Sequence, residues 1–147
     1  MHAQPYDDLI MEHIKHARNY RVLGNANRTG TGSNPLCGDE IVVYLRIDGE
    51  RIADAAFQCT CCGISMASAS IMTEAAKGKT AHEARALLRG VVAMVNSGSP
   101  ISDCMSSEWL ALLETVRKFP ARTRCAALPW VTLEGMLENR EHAVELY

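Results

Sequence analysis

Residues 41–47 alternate strictly, with Ile41, Val43, Leu45 and Ile47 on one side and Val42, Tyr44 and Arg46 on the other. Successive side chains of an extended chain point to opposite faces, so the pattern predicts a strand with one face in a core. Asp48-Gly49 follows and is a strong hairpin signal. Two registers compete for the returning strand. A two-residue loop pairs Leu45 with Ile52 and turns Asp54 to the buried face. A three-residue loop, Asp48 to Glu50, pairs Leu45 with Ala53, Val43 with Ala55 and Ile41 with Phe57. The second keeps Asp54 in water and is the one expected; a slip by one residue would reverse every side chain.

The rest of the chain reads mostly as helix. Tyr6, Leu9, Ile10, Ile14 and Ala17 recur at helical spacing and predict a helix over about 5–17. Residues 18–35, rich in Asn, Gly, Thr and Ser, read as a mobile loop with a short strand near Thr31. After the hairpin, residues 59–63 turn the chain into a helix over about 64–76, with Ile64, Ser68, Ile71 and Ala75 on one narrow face. Lys77-Gly78 closes it. Thr80-Ala81-His82-Glu83 is a capping-box pattern and opens a helix to about Val95. Residues 96–103 read as a loop and 107–118 as a helix with Leu110, Leu113 and Val116 inside. A last helix is expected from Pro120 to about Ala143, with a kink or break at Pro129, which cannot donate to the carbonyl of Cys125. The expected architecture is α+β: a small, mostly antiparallel three-stranded sheet packed with about five helices.

At 147 residues the chain is long enough for one domain with a real core, so 1–147 is read as a single domain. The formal net charge of −2 gives no basic field for nucleic acid. The first residues show no basic and apolar leader, and no apolar run is long enough to span a bilayer, so no membrane association is expected and the reading is cytoplasmic. In that compartment clustered thiols more often bind metal or react than form disulfides. The chain has six of them, at 37, 59, 61, 62, 104 and 125.

Cys37 and Asp39 stand two apart at a strand entrance, so they can face one ion, with Pro35 and Gly38 shaping the approach. Cys62 lies where a strand turns into a helix, and free N–H groups there favour a thiolate. Cys125 lies in the first turns of the last helix, close after Arg122 and Arg124, which favour the same form. Cys37, Asp39, Cys62 and Cys125 would make a three-sulfur, one-oxygen set suited to Zn2+ or to one edge of an iron–sulfur cluster. Small buried cysteines that merely fill a core are the alternative. Cys59 and Cys62 form a Cys-x-x-Cys, but in a hairpin rather than a strand–helix–strand unit, so a redox pair there is disfavoured. Cys59 and Cys61 are read as thiols bordering the site or at the surface, Cys104 as incidental, and His13, His16 and His82 as solvated.

Three stretches carry a resemblance. Asn34-Pro35-Leu36-Cys37-Gly38-Asp39 is similar to the first motif of the NifU N-terminal/IscU/SufU family of iron–sulfur assembly proteins. Residues 62–70, with Met72-Thr73-Glu74 and Lys77-Gly78-Lys79, resemble the second. Residues 118–126, with Leu128 and Trp130, resemble the third. Ile10-Met11-Glu12-His13 and Arg18-Asn19 are also family-like. The long segment at about 96–117 and Arg124, where IscU-type scaffolds carry histidine, resemble the SufU type. The resemblance implies Zn2+ on Cys37, Asp39, Cys62 and Cys125, with a [2Fe-2S] cluster on the same residues as the alternative. It implies Cys37 as persulfide acceptor, with Asp39, Arg122 and Arg124 as the other candidate catalytic residues. The implied partners are a SufS-type cysteine desulfurase and apo iron–sulfur acceptor proteins. Cys59 and Cys61 depart from the family, which usually has no thiols there, and open the question of whether they also carry sulfur.

Overall fold

The computed structural model describes residues 8–35, 38–97, 116, 123–138 and 144–145. Helix α1 spans Asp8–Lys15, and strands β1, β2 and β3 span Arg28–Asn34, Asp39–Asp48 and Arg51–Thr60. Helices α2 (Gly63–Ala76), α3 (Ala81–Ser97) and α4 (Thr123–Leu137) follow, and β4 is the short Val144–Glu145. The sheet order is β3-β2-β1-β4, antiparallel except where β4 lies parallel to β1. The α+β architecture is as expected, with four helices among the described residues. The helix expected over 107–118 lies outside them apart from Val116, which is buried.

The hairpin corrects the expected register. Its loop is Gly49-Glu50, closed by Asp48 opposite Arg51 and Ile47 opposite Ile52. A bulge then shifts the pairing by one, so Leu45 faces Ala55, Val43 faces Phe57 and Ile41 faces Cys59. The cause is parity. Ile52 and Ala55 are both fully buried, although they are three residues apart and would fall on opposite faces of a regular strand. One extra residue, Ala53, lets both face inward while Asp54 stays half-exposed opposite Arg46.

β1 is a full seven-residue strand where only a short one was expected within a loop. Its glycines hide it from a propensity reading, yet packing requires them. A Cβ on Gly32 would lie 2.0 Å from Thr132 Oγ1, and one on Gly30 2.4 Å from Met136 Cγ. The bare backbone is what lets α4 lie against the sheet. β3 is an edge strand, and its outer edge is covered. Phe57 N donates to Asn19 O and Arg21 N donates to Phe57 O, both at 3.0 Å, while Ile52 pairs with residues 78 and 79.

α2 is the central helix. Ile64, Ser65, Ala67 to Thr73 and Ala76 are all buried, far more than the one narrow face expected. Its small residues let α1, α4 and β3 all pack close. His13 of α1 is correspondingly buried rather than solvated, with Nδ1 2.7 Å from Ser70 Oγ. The α3 capping box is as expected: Thr80 N donates to Glu83 Oε1 at 2.9 Å and Glu83 N donates to Thr80 Oγ1 at 3.1 Å. α4 is shorter than the expected helix and runs through Pro129 unbroken.

Candidate metal centre

Three elements deliver one cluster. Asp39 opens β2, Cys62 caps α2, and Cys125 is the third residue of α4. One ligand atom from each lies within 4.8 Å of the others. Around a tetrahedral Zn2+ with Zn–S near 2.3 Å, ligand atoms stand roughly 3.5–4 Å apart, so the separation and the sulfur-rich donors fit such an ion. Cys37 and Arg122 lie outside the described residues. Arg124 is exposed on the first turn of α4.

The approach to the cluster is set by the backbone after β1. Gly38 N donates to Asn34 O at 2.9 Å, and Gly38 has φ of 73°, which a side chain would resist. Asp39 follows and is buried. Its Oδ1 accepts from Cys62 N at 3.0 Å, satisfying one of the free N–H groups at the start of α2. The carboxylate thus ties the strand entrance to the helix entrance.

Proline explains the third corner. Pro129 leaves the Cys125 carbonyl without its usual helical donor. Ser65 Oγ fills that place, donating to Cys125 O at 2.9 Å. The same hydroxyl stands 3.2 Å from Asp39 Oδ2 and 3.7 Å from Cys62 Sγ. Its one proton is closest to the Cys125 carbonyl and its oxygen accepts from the Cys62 side, so Ser65 touches every member of the cluster. One turn on, Ser68 Oγ donates to Ala126 O at 2.6 Å and accepts from Trp130 Nε1 at 2.9 Å. Sequence reasoning missed both serines as site residues. The available signals were Ser65 three residues after Cys62, one turn along the same helix face, and a carbonyl known to be orphaned by Pro129.

With no ion between them, the two thiols are unequal. A hydrogen bond from the Cys125 S–H pulls Cys62 down to about 5, helped by the N–H and hydroxyl of Ser65 and opposed by burial and by Asp39. The Cys125 thiol is pushed up, because it gives its proton to Cys62, is buried, and faces Asp39. The pair shares one proton and one negative charge.

Cys59 lies near the end of β3 and Cys61 just beyond it, next to Cys62 in the chain. Both are half-buried and their sulfurs are joined, with Cα atoms 5.5 Å apart, so they are a disulfide rather than the two separate thiols expected. The bond joins 59 to 61, not 59 to 62, which leaves Cys62 free.

No helix among the described residues is long and apolar enough to cross a membrane. The family model described as the NifU-like N-terminal domain matches residues 5–126. The zinc-dependent sulfurtransferase SufU of Bacillus subtilis is 40% identical over 136 residues, 92% of this chain and 91% of that protein. The iron–sulfur cluster assembly scaffold protein IscU of Streptococcus pyogenes is 33% identical over 141 residues, 96% of this chain and 87% of its own. A crystal structure of a SUF-system scaffold protein from Fervidobacterium islandicum superposes with a TM-score of 0.80 at 32% identity, covering 88% of this chain and 94% of that one. With the fold, the clustered Asp39, Cys62 and Cys125 and these matches in agreement, the chain belongs to the NifU-like N-terminal domain family of iron–sulfur cluster assembly proteins.

Proposed function

We propose that this protein is a zinc-dependent sulfurtransferase that accepts persulfide sulfur from a cysteine desulfurase, of the SufS type, and passes it toward apo iron–sulfur proteins in the cytoplasm. The observation that carries the reading is the convergence of Asp39, Cys62 and Cys125 from three separate elements, in a chain 40% identical to a zinc-dependent sulfurtransferase. Asp39, Cys62 and Cys125 would hold Zn2+, with Cys37 as the fourth ligand on the strength of its motif. When bound, zinc would supply positive charge that keeps sulfur ligands as thiolates.

The chain's own residues do the positioning. Asp39 holds the Cys62 backbone through its N–H, and Ser65 fixes the Cys125 backbone through its carbonyl. Cys37 is the persulfide acceptor in this reading. Its thiolate attacks the outer sulfur of the desulfurase persulfide, the sulfur–sulfur bond of the donor breaks, and the donor cysteine leaves as thiolate. Arg122 and Arg124 are the further candidate catalytic residues of this reading; Arg124, exposed on the first turn of α4, could meet an acidic partner surface.

Two measurements test it together. Protein purified without added metal should hold about one zinc per chain, and it should stimulate a cysteine desulfurase while gaining one sulfur on Cys37. Zinc-free protein that leaves the desulfurase unaffected would refute the reading. The IscU relative favours a second one, a scaffold that assembles and transfers a [2Fe-2S] cluster on the same residues. Anaerobic reconstitution with iron and sulfide, followed by Mössbauer spectroscopy and transfer to an apo-acceptor, separates the two.

A further inference from the structure

We propose a second activity beside the metal centre: Cys59 and Cys61 form a two-electron donor that converts delivered sulfane sulfur to sulfide. The proposal rests on the sulfurtransferase reading and extends it. Three observations carry it. The two sulfurs already pair with each other, and residues i and i+2 of an extended segment face the same side. Cys61 immediately precedes Cys62 in the chain, their Cα atoms about 3.8 Å apart across a trans peptide, so the pair lies within a few residues of a cluster member. Both residues are half-buried rather than sealed in the core.

A purely structural role fits poorly. A link that closes so short a loop restrains the unfolded chain little. The segment is also already fixed, by the ladder that pairs Ile41 with Cys59 and Glu40 with Thr60, and by Tyr20, whose hydroxyl donates to Cys59 O at 3.1 Å.

The chemistry balances without further partners in a single turnover. The reduced Cys61 thiolate attacks the outer sulfur of a persulfide, R–S–SH, and R–S⁻ leaves, so the sulfane sulfur moves to Cys61. Cys59 thiolate then attacks the inner sulfur of the Cys61 persulfide. The Cys59–Cys61 disulfide forms, the bond to the outer sulfur breaks, and hydrosulfide leaves. The two thiols lose two electrons and the sulfane sulfur gains them; the protons of the two thiols end on R–SH and on the released sulfide. A small dithiol resets the pair by exchange, itself becoming a disulfide. The disulfide seen in the structure is the spent form of this cycle.

The test uses the full chain with its metal, reduced and then freed of reductant, and glutathione persulfide as the probe. Sulfide is measured in solution, and the cysteine peptides are read by mass spectrometry after alkylation. Wild-type protein should release about one sulfide per chain and acquire the Cys59–Cys61 disulfide. The Cys59→Ser/Cys61→Ser variant should release roughly tenfold less while still gaining one sulfur elsewhere on the chain. Cys59→Ser alone should stall with the extra sulfur on Cys61, which decides the matter even if the double variant folds poorly. Equal sulfide release by wild type and the double variant overturns the proposal. So does wild-type protein that keeps its sulfane sulfur while Cys59 and Cys61 remain open to alkylation. If neither protein takes up any sulfur, the sulfurtransferase reading falls, and this inference with it.

Discussion

Two polar networks tie distant parts of this chain together, and they differ in one respect above all, their access to water. The first lies in the seam between α2 and α4, where Ser65 and Ser68 are buried and bond the carbonyls of Cys125 and Ala126. The second lies on the surface, where Arg21 makes two 3.1 Å contacts to Asp54, Lys77 stands 3.6 Å from both Asp54 and Glu74, and Asn19 bonds Lys77 and Thr73. The surface network carries formal charge and the seam is made of neutral hydroxyls, yet the seam should matter more. Removing a partner in the seam leaves a buried group that water cannot reach. Removing one at the surface lets solvent take its place.

Breaking the metal corner should have the largest effect. Cys125→Ser should lose bound zinc, and with it linkage stabilisation of about 4 kcal/mol when free metal exceeds Kd a thousandfold. Zinc analysis with thermal unfolding checks this; full zinc and an unchanged melting midpoint would remove Cys125 from the ligand set. Next comes Ser65→Ala, which strands the carbonyl that Pro129 already deprived of its helical donor. It should cost about 1–3 kcal/mol in denaturant unfolding, and a cost near zero would show that the seam is not what holds α4 to α2.

Asp39→Ala should cost less, about 1 kcal/mol, because it removes the acceptor for one helix-entrance N–H. It should leave zinc bound by the sulfur ligands while lowering desulfurase stimulation, so metal content and activity should separate in this variant and fall together in Cys125→Ser.

The smallest effect belongs to the surface. Burial alone would raise the Asp54 pKa, but the hydrogen bond from Arg21, the Ala55 N–H and the charges of Arg21 and Lys77 together lower it below its ordinary 3.8. A carboxylate held down in the folded state stabilises the fold fully above its unfolded pKa and loses that contribution as pH falls through the lower folded value. Asp54→Asn should therefore cost under about 1 kcal/mol at neutral pH, discounted for exposure. The difference from wild type should close on acidification below the carboxylate range, as followed by urea midpoints against pH. A difference that persists in acid would mean that the network acts through shape rather than charge.

How much of this was legible in the residues depended on whether the pattern and the packing agreed. The alternation of 41–47, the Thr80–Glu83 box and the strand-to-helix turn at Cys62 could be read because local chemistry and tertiary position asked for the same thing. β1 was undervalued because Gly30 and Gly32 weaken a strand locally and are required only by the approach of α4. Pro129 was read as a kink because the sequence shows the lost donor and not the Ser65 hydroxyl that replaces it from 60 positions away. His13 was read as solvated because its charged neighbours lie beside it in sequence, whereas its partner, Ser70, lies on another helix. The Asp39–Cys62–Cys125 set was found from motif chemistry. The unequal sharing of a proton between its thiols depends on their contact, which spacing cannot show.

The extra residue at Ala53 has a reach beyond the hairpin turn. It works as a vernier for everything between the turn and the open end of β2 and β3. Were Ala53 drawn into a regular ladder instead, Ile41 would face Gln58 rather than Cys59, and each residue up to Thr60 would slide one place along β2. Cys62 would then enter its helix one step out of phase with Asp39. The site lies seven residues past the irregularity, roughly 23 Å along an extended chain, yet its alignment is counted from there. A lineage could exchange side chains along this ribbon one at a time, but drawing Ala53 into the ladder would have to be matched by a one-residue deletion before Cys62.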